Sequence, residues 1–385
     1  MAASSTAPRP GRLIDSLDEA ASALRSGRLV AFPTETVYGL GADAFNEASV
    51  ASIFTVKGRP RSDPLIVHVA SAGAAEALVR LGPGGLELMR RLTASFWPGP
   101  LTLVAPAVPE LPSAVTSGSG YVGVRVPEHA LARELLQRAA VPVAAPSANR
   151  FGHVSPTRAQ HVMDDLAHHP ILVLDAPPAD CCGVGIESTV VKIDEQAPPH
   201  RMPHLGGRVS SSCCAAAACP RLLPAAARPS PLPSQGRMLL THYSPDLPAY
   251  LLRGPQLLAA PPPGAGSAPL SLGEAVLLDF GGRLAHLRPA AAAYRDLSER
   301  ADAAAAASGV FEALRWAEAQ HAAGARCVLV ADVEAAARGG EAAECVPALA
   351  DRLYRAASGV RAELVASPGT GGAVAVWLLP PEASV

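Results

Sequence analysis

Hydrophobic and polar positions alternate along the first half of the chain in a pattern typical of an α/β domain. Short apolar runs of strand length are separated by stretches with helical spacing. The predicted strands are Arg28–Phe32, Leu65–Ala70, Leu101–Ala105, Tyr121–Val126, Pro142–Ala145, Ile171–Leu174 and Ile186–Ile193. The predicted helices are Asp15–Ser26, Glu47–Val56, Ala72–Leu81, Leu86–Ser95, Glu128–Ala139 and Thr157–Leu166. This alternation predicts a largely buried sheet covered by helices.

A change in composition divides the chain. Residues 211–235 are mostly Ala, Pro, Ser and Cys, with two arginines and no acidic residue, which is typical of a linker. A second α/β pattern follows, with strands near Ala275–Asp279, Cys327–Ala331 and Ala373–Leu379 and helices near Ala301–His321 and Val346–Ala357. We therefore expect a tail over 1–11, a first domain over 12–210, the linker, and a second domain over 236–385.

Net charge, cysteine spacing and the length of the apolar runs limit the classes of function that this chain can have. The formal net charge of the 385 residues is −2, so no overall field attracts nucleic acid or anionic lipid. None of the seven cysteines forms a C-x-x-C pair, which predicts reduced thiols and no zinc or redox site. No apolar run reaches the roughly 20 residues of a membrane span. A cytoplasmic location is expected, with a mitochondrion or plastid as the alternative if Met1–Ile14 is a transit segment.

Several sequence motifs can be set aside. Gly118, Gly120 and Gly123 match G-x-G-x-x-G, but a strand follows them where a dinucleotide site requires a helix. We expect a turn there. The chain contains no phosphate-binding G-x-x-x-x-G-K-[ST], no H-E-x-x-H and no G-x-S-x-G.

A cationic turn is the first candidate site. Lys57, Arg59 and Arg61 lie on a turn stiffened by Pro60 and Pro64. Arginine presents a planar fork to phosphate oxygens and lysine a compact charge. The turn therefore suits a polyphosphate, and an ordinary solvated surface is the alternative.

Polar residues at the strand ends form the second candidate. Ser147, Asn149 and Ser155 follow the strand Pro142–Ala145 and suit a phosphate or ribose, or an ordinary turn. Arg125 lies between two valines and needs a partner, which a substrate carboxylate or a structural acid supplies equally well. The residues alone thus predict a site for a polyphosphate and a small carboxylate, without a metal cage or a covalent nucleophile.

Taken in order, the motifs resemble those of the L-threonylcarbamoyladenylate synthases. The segments that carry the resemblance are Thr34–Gly41, Lys57–His68, Phe96–Leu101, Val122–Pro127, Ala145–Asn149, Ser155–Thr157 and Gly185–Val190, with His242–Pro245, Tyr294–Ser298 and Asp351–Ser358 of the two-domain form. The resemblance implies a twisted mixed-sheet catalytic domain with a concave site and a smaller Rossmann-like C-terminal domain. It also implies synthesis of threonylcarbamoyl-AMP from L-threonine, bicarbonate and ATP, with release of pyrophosphate.

The resemblance also implies roles for individual residues. Lys57 and Arg59 would act in catalysis on the ATP phosphates, with Mg²⁺ held mainly through those phosphates and no dedicated metal ligands. The other ATP-binding residues would be Asp63, Tyr121, Ser147, Asn149, Ser155 and Tyr243. The residues around L-threonine would be Thr34, His68, Arg125, Ala145 and Ser188, with Arg125 pairing the carboxylate. A lone strand histidine such as His68 is otherwise usually structural.

One departure and three alternatives accompany this interpretation. Leu205-Gly206-Gly207 stands where the family has Arg-Pro-Gly, with Arg201 or Arg208 as substitutes for the missing arginine. The alternatives are a double-stranded RNA- or tRNA-binding module without catalysis, a hydrogenase-maturation carbamoyltransferase, whose paired C-x-x-C motifs are absent, and an inactive regulator. The expected partners are the downstream tRNA threonylcarbamoyl transferase and tRNA itself, because the product serves modification at position 37 of tRNA; no membrane is expected.

Overall fold

The computed structural model describes residues 10–177, 182–183, 187–193, 242–265, 269–336, 345–366 and 374–379. These residues form two compact units. The first unit takes 10–151 and the described residues from 155 to 193, and the second takes 152–154 and the described residues from 242 onward. The proposed linker and Leu205 lie outside the described residues, so the domain boundaries stay a prediction.

The first unit is built on a mixed sheet. Its strands within the described residues are β1 (Arg12–Ile14), β2 (Val30–Phe32), β3 (Gly39–Asp43), β4 (Ile66–His68), β5 (Leu101–Pro106), β6 (Tyr121–Arg125), β7 (Val143–Ala144), β8 (Leu172–Leu174) and β9 (Thr189–Lys192). Their order across the sheet is β1, β8, β2, β3, β7, β4, β6, β5, β9. The sheet contains both parallel and antiparallel neighbours, which confirms the predicted mixed α/β fold class.

Helices cover this sheet, and all of them except the short α5 lie where the apolar spacing predicts a helix. They are α1 (Leu17–Arg25), α2 (Glu47–Lys57), α3 (Ala72–Glu76), α4 (Pro83–Phe96), α5 (Ser113–Thr116), α6 (Ala130–Ala139) and α7 (Ala159–Leu166). The predicted N-cap of α2 is confirmed, because the Asn46 side chain accepts a hydrogen bond from the Ser49 N–H at 3.1 Å. Gly58 ends α2 in the left-handed conformation at φ 63°, so the chain turns sharply out of the helix after Lys57.

Packing accounts for two differences from the predicted elements. β3 was missed because Gly39 and Gly41 weaken any strand pattern. A Cβ at Gly41 would lie 2.7 Å from Val143 Cγ1 and 2.8 Å from Phe32 Cε1, so only glycine lets β3 fit between its neighbours. The helix predicted to continue to Leu81 is wrong beyond Glu76, because Val79 forms a β-bridge with Ala107.

The second unit is another α/β unit. Its strands within the described residues are β10 (Ala249–Leu258), β11 (Leu270–Ser271), β12 (Ala275–Asp279), β13 (Ala293–Asp296), β14 (Cys327–Val330), β15 (Arg361–Ala366) and β16 (Val374–Leu378). Their order across the sheet is β11, β16, β15, β10, β14, β12, β13. The five strands β15, β10, β14, β12 and β13 are parallel to one another, whereas β16 pairs antiparallel with both β15 and β11. Its helices are α8 (Ala303–Ala319), α9 (Val333–Ala336) and α10 (Val346–Ala356). This architecture agrees with the predicted C-terminal α/β domain.

β10 was not predicted because Gly254-Pro255 has the composition of a turn. The strand accommodates these residues in an irregularity between Leu252 and Leu257, where its register against β15 shifts. Within the described residues, no helix is both long enough and apolar enough to cross a membrane.

Candidate functional site

The loop after β2 is organised by the Thr34 side chain. Its hydroxyl oxygen accepts hydrogen bonds from the N–H groups of Thr36 and Val37, both at 3.2 Å, and lies 2.6 Å from the Val37 carbonyl oxygen. The Thr36 hydroxyl lies 2.9 Å from that of Thr34. Both threonines are buried, so the loop presents hydroxyl groups at fixed positions in the interior.

Arg125 ends β6 and reaches this loop. Its Nη1 donates to Thr36 Oγ1 at 3.2 Å, and its Nε donates to the Gly99 carbonyl at 3.3 Å. Its Nη2 lies 2.6 Å from Glu35 Oε1, and both side chains are buried. The partner that the sequence leaves open is therefore, in this structure, the internal carboxylate of Glu35.

Glu35 is charged in this setting. Burial by itself raises the pKa of Glu35, but the Arg125 guanidinium and nearby backbone N–H groups outweigh it and hold the pKa below its usual value. Arg125 Nη2, at 2.6 Å, is the close partner of Oε1, whereas no donor among the described residues is aligned for a hydrogen bond to Oε2. The pair thus places two opposite charges inside the unit, with hydrogen-bonding capacity left on the carboxylate.

His68 lies opposite Arg125 on the neighbouring strand. The two residues are register partners of β4 and β6, and the imidazole meets the Phe32 ring edge-on at 6.0 Å. Burial, together with the Arg125 charge, lowers the pKa of His68 to about 3. His68 is therefore neutral at physiological pH and contributes a polar group without a charge.

We expect His68 to make the protein less stable in mild acid. The pKa is near 6.5 in the unfolded chain and about 3 in the folded unit, so the unfolded state binds more protons between these values. The free energy of unfolding then falls with decreasing pH by at most about 1.4 kcal/mol per pH unit in this window. Urea unfolding of the wild type and His68→Gln at pH 7 and 4.5 checks this, and parallel losses in the two proteins would contradict it.

Two further residues predicted around threonine lie near this cluster in the sheet. Ser188 immediately precedes β9, and its hydroxyl lies 2.7 Å from that of Thr102 on β5. Leu103 of β5 pairs with Val124, so Ser188 lies at the same end of these strands as Arg125. Ala145 follows β7, and its N–H donates to the Ile66 carbonyl at 2.9 Å.

Lys57 is held inside the unit. Its Nζ donates to the Ser147 carbonyl at 2.6 Å and also to the Asn149 carbonyl, and the side chain is only 4% exposed. Burial and the neighbouring Arg59 lower the pKa of Lys57 well below its usual value. In this structure, the ammonium therefore binds the loop 147–149 itself, whereas the resemblance implies a direct contact with phosphate.

Arg59 is the more exposed of the two catalytic candidates. Its guanidinium pairs with Asp63 at 3.7 Å and donates to the Pro64 carbonyl at 3.1 Å. It also lies 6.0 Å from the centre of the Phe151 ring. These contacts fix the orientation of the arginine while its side chain remains 16% exposed to solvent.

The loop after β2, which carries Thr34, touches the loop 147–149, which Lys57 binds. The Ala148 N–H donates to the Tyr38 carbonyl and the Leu40 N–H to the Pro146 carbonyl, both at 2.8 Å. Gly39 and Ser147 form a β-bridge between the same two loops. The first unit thus brings six of the predicted site residues into one connected region, namely Thr34, His68, Arg125, Lys57, Ser147 and Asn149.

Three of the residues predicted to bind ATP have surroundings different from those of Ser147 and Asn149. The Ser155 hydroxyl is fully buried and has no hydrogen-bond partner among the described residues. Tyr121 begins β6, about 13 Å along the strand from Arg125, and Lys192 Nζ lies 4.0 Å from its ring centre. Tyr243 belongs to the second unit, where its ring lies 5.1 Å from that of Phe311.

Glu35 and Thr36 are the residues whose importance the sequence analysis missed. A signal was available, since Glu35 lies in a loop bounded by apolar strands and Arg125 lies between valines. Opposite charges that are both predicted to be buried are expected to pair. The contact of Arg125 with the Gly99 carbonyl could not be predicted from the residue type, because any residue supplies a backbone oxygen.

One group of described residues has the composition of a metal site. His153, Asp246 and Glu318 belong to the second unit and offer ligand atoms within 4.8 Å of one another. His153 Nε2 already lies 2.9 Å from Glu318 Oε1, which also accepts a hydrogen bond from the Asp246 N–H at 2.5 Å. An imidazole and two acids are a poor match to Mg²⁺, which prefers oxygen ligands alone.

Comparison with known proteins identifies the family. Residues 22–201 match the Sua5/YciO/YrdC family, described as "Telomere recombination". Residues 220–358 match the family described as "Threonylcarbamoyl-AMP synthase, C-terminal domain". A putative threonylcarbamoyl-AMP synthase of Mycobacterium tuberculosis is 41% identical over 161 residues, which cover 42% of this chain and 72% of that protein. The chain belongs to the Sua5/YciO/YrdC family, and its second matched domain marks the predicted two-domain Sua5 form.

Other relatives extend this result. A Bacillus subtilis threonylcarbamoyl-AMP synthase is 39% identical, covering 61% of this chain and 66% of that protein. One from Pyrococcus abyssi is 45% identical, covering 46% and 51%. The chain thus spans between about half and two thirds of these curated relatives. The crystal structure of P. abyssi Sua5 complexed with L-threonine matches with a TM-score of 0.65 and 28% identity, covering 90% of this chain and 97% of that one.

Proposed function

We propose that the protein synthesises threonylcarbamoyl-AMP from L-threonine, bicarbonate and ATP. The observation that carries this proposal is the buried cluster of Arg125, Thr34, Thr36 and His68, hydrogen-bonded through its loop to the loop held by Lys57. A guanidinium with adjacent hydroxyl groups suits a small hydroxylated amino acid. The L-threonine bound to the P. abyssi relative and the names of the curated relatives support this assignment.

The proposed reaction requires two bond-forming steps. The neutral amine of threonine attacks bicarbonate and water leaves, giving a carbamate. A carbamate oxygen then attacks the α-phosphorus of ATP, the bond to the β-phosphate oxygen breaks, and pyrophosphate leaves. The protein's contribution is to position the two reactants and to offset charge, since neither step needs a covalent enzyme intermediate.

The residues divide between the two reactants in this proposal. Arg125, Thr34, His68, Ser188 and Ala145 surround threonine. Arg59 faces the phosphates, with Asp63 fixing its guanidinium at 3.7 Å. Lys57 holds the loop that carries Ser147 and Asn149, and these two line the nucleotide together with Ser155. Tyr121 and Tyr243 stay predicted nucleotide contacts.

Mg²⁺ would accompany the nucleotide, neutralising phosphate charge when bound. Asp63 is the carboxylate of the cationic turn and offers the oxygen ligand that Mg²⁺ prefers. The His153 group in the second unit does not fit this ion, so we assign the metal to the phosphates. The same proposal includes the nucleotidyltransferase class and a contact with tRNA. It also includes the supply of threonylcarbamoyl-AMP to a tRNA threonylcarbamoyl transferase.

Omission of each substrate in turn tests the proposed reaction. With ATP, L-threonine and bicarbonate all present, we expect release of pyrophosphate and accumulation of an adenylate that contains threonine, detected by mass spectrometry. Leaving out any one substrate should abolish both signals. Pyrophosphate release that is independent of threonine would overturn the proposal, and tRNA binding without ATP consumption would favour the RNA-binding alternative.

A further inference from the structure

We propose that the Glu35 carboxylate receives the amino group of the amino-acid substrate and makes the site select zwitterions over plain carboxylates. This inference rests on the proposed threonine site and adds to it a residue that determines specificity. It starts from the position of Glu35, whose Oε1 lies 2.6 Å from Nη2 of Arg125, the guanidinium assigned to the substrate carboxylate.

The hydrogen bonding of Glu35 is incomplete. The residue is 7% exposed; its Oε1 has the Arg125 guanidinium as a close partner, but no donor among the described residues is aligned for a hydrogen bond to Oε2. A buried carboxylate accepts several hydrogen bonds when its surroundings provide donors, and leaving them unmade is costly. An ammonium or amine group is a donor that the bound substrate brings with it.

The net charge of the cluster formed by Arg125, Glu35 and His68 also favours a substrate that carries an amino group. Arg125 and Glu35 together are neutral, and His68, the titratable residue that faces them across β4 and β6, adds no charge at neutral pH. A zwitterionic amino acid leaves this buried region neutral, whereas a carboxylate without an ammonium group makes it negative. Uncompensated buried charge is strongly unfavourable, so the pair favours ligands that carry both charges.

A simpler role for Glu35 would be to hold Arg125 in place. In that case, removing the carboxylate weakens every ligand that uses the guanidinium by the same factor. If Glu35 receives the amino group, its removal weakens only ligands that have one. A pair of ligands that differ solely in the amino group separates the two roles.

The experiment is a calorimetric titration with L-threonine and with (3R)-3-hydroxybutanoate, which is threonine without its amino group. We expect the wild type to bind threonine at least about tenfold more tightly. In Glu35→Gln, we expect threonine to lose about tenfold or more in affinity, while 3-hydroxybutanoate binds as well as before or better. Glu87→Gln removes an exposed carboxylate from α4 and should leave both affinities unchanged.

Each other outcome has a defined meaning. If the wild type binds the two ligands equally well, the inference is overturned. This outcome does not depend on whether the Glu35→Gln variant folds. Equal weakening of both ligands in Glu35→Gln assigns Glu35 to positioning Arg125 alone and also overturns it. A wild type that binds no threonine at millimolar concentration overturns the proposed function itself, and the role of Glu35 with it.

Discussion

We expect Lys57→Met to lower the rate of threonine-dependent pyrophosphate release by a factor of about 100 or more. The side chain keeps its length and loses the ammonium that binds the carbonyls of Ser147 and Asn149. The loop that carries the nucleotide contacts then loses its fixed position. A pyrophosphate assay at saturating substrates measures the effect, and a near wild-type rate would remove Lys57 from the catalytic site.

Stability distinguishes how Lys57 acts. A buried carbonyl without a donor costs about 1–3 kcal/mol. Lys57→Met leaves the buried Asn149 carbonyl and the half-buried Ser147 carbonyl without the ammonium, so the variant should also unfold at a lower urea concentration. If Lys57 contacted only phosphate, the rate would fall with no loss of stability in the ligand-free protein. Arg91→Met is the matched control, because it removes an exposed cation from α4 and should change neither quantity.

We expect Arg125→Met to weaken threonine binding strongly and to destabilise the first unit. The substitution leaves the Glu35 carboxylate buried without its counter-charge, for which a loss of about 3–5 kcal/mol in the free energy of unfolding is expected. Threonine affinity should fall at least about 100-fold, since the guanidinium is assigned to its carboxylate. Urea unfolding and calorimetry measure the two effects separately.

The double variant Arg125→Met/Glu35→Gln separates folding from binding. Removing both charges should restore most of the stability, because no unpaired charge remains in the interior. Threonine binding should stay lost. A double variant that binds threonine normally would show that Arg125 serves the fold alone. Arg133→Met, which removes a cation from an exposed position on α6, is the control and should change neither stability nor binding.

The elements with strong local signals were predictable. α2 begins after Asn46 and ends before Gly58, where the N-cap and the left-handed glycine stop a helix whatever surrounds it. β5 and β6 coincide with apolar runs of strand length. β3 and β10 were not predictable, because Gly41 and Gly254-Pro255 oppose strand formation locally and only pairing with neighbouring strands holds these segments extended.

By itself, the sequence determined the α/β class, the order of the motifs and the residue types that suit an amino acid and a polyphosphate. These depend on spacing and composition, which are local properties of the chain. Only the tertiary structure decided that Arg125 pairs with Glu35 and that Lys57 binds the loop at Ser147. Those partners are separated by ninety residues in the chain, and burial, which decides how a charge is satisfied, exists only once the sheet has assembled.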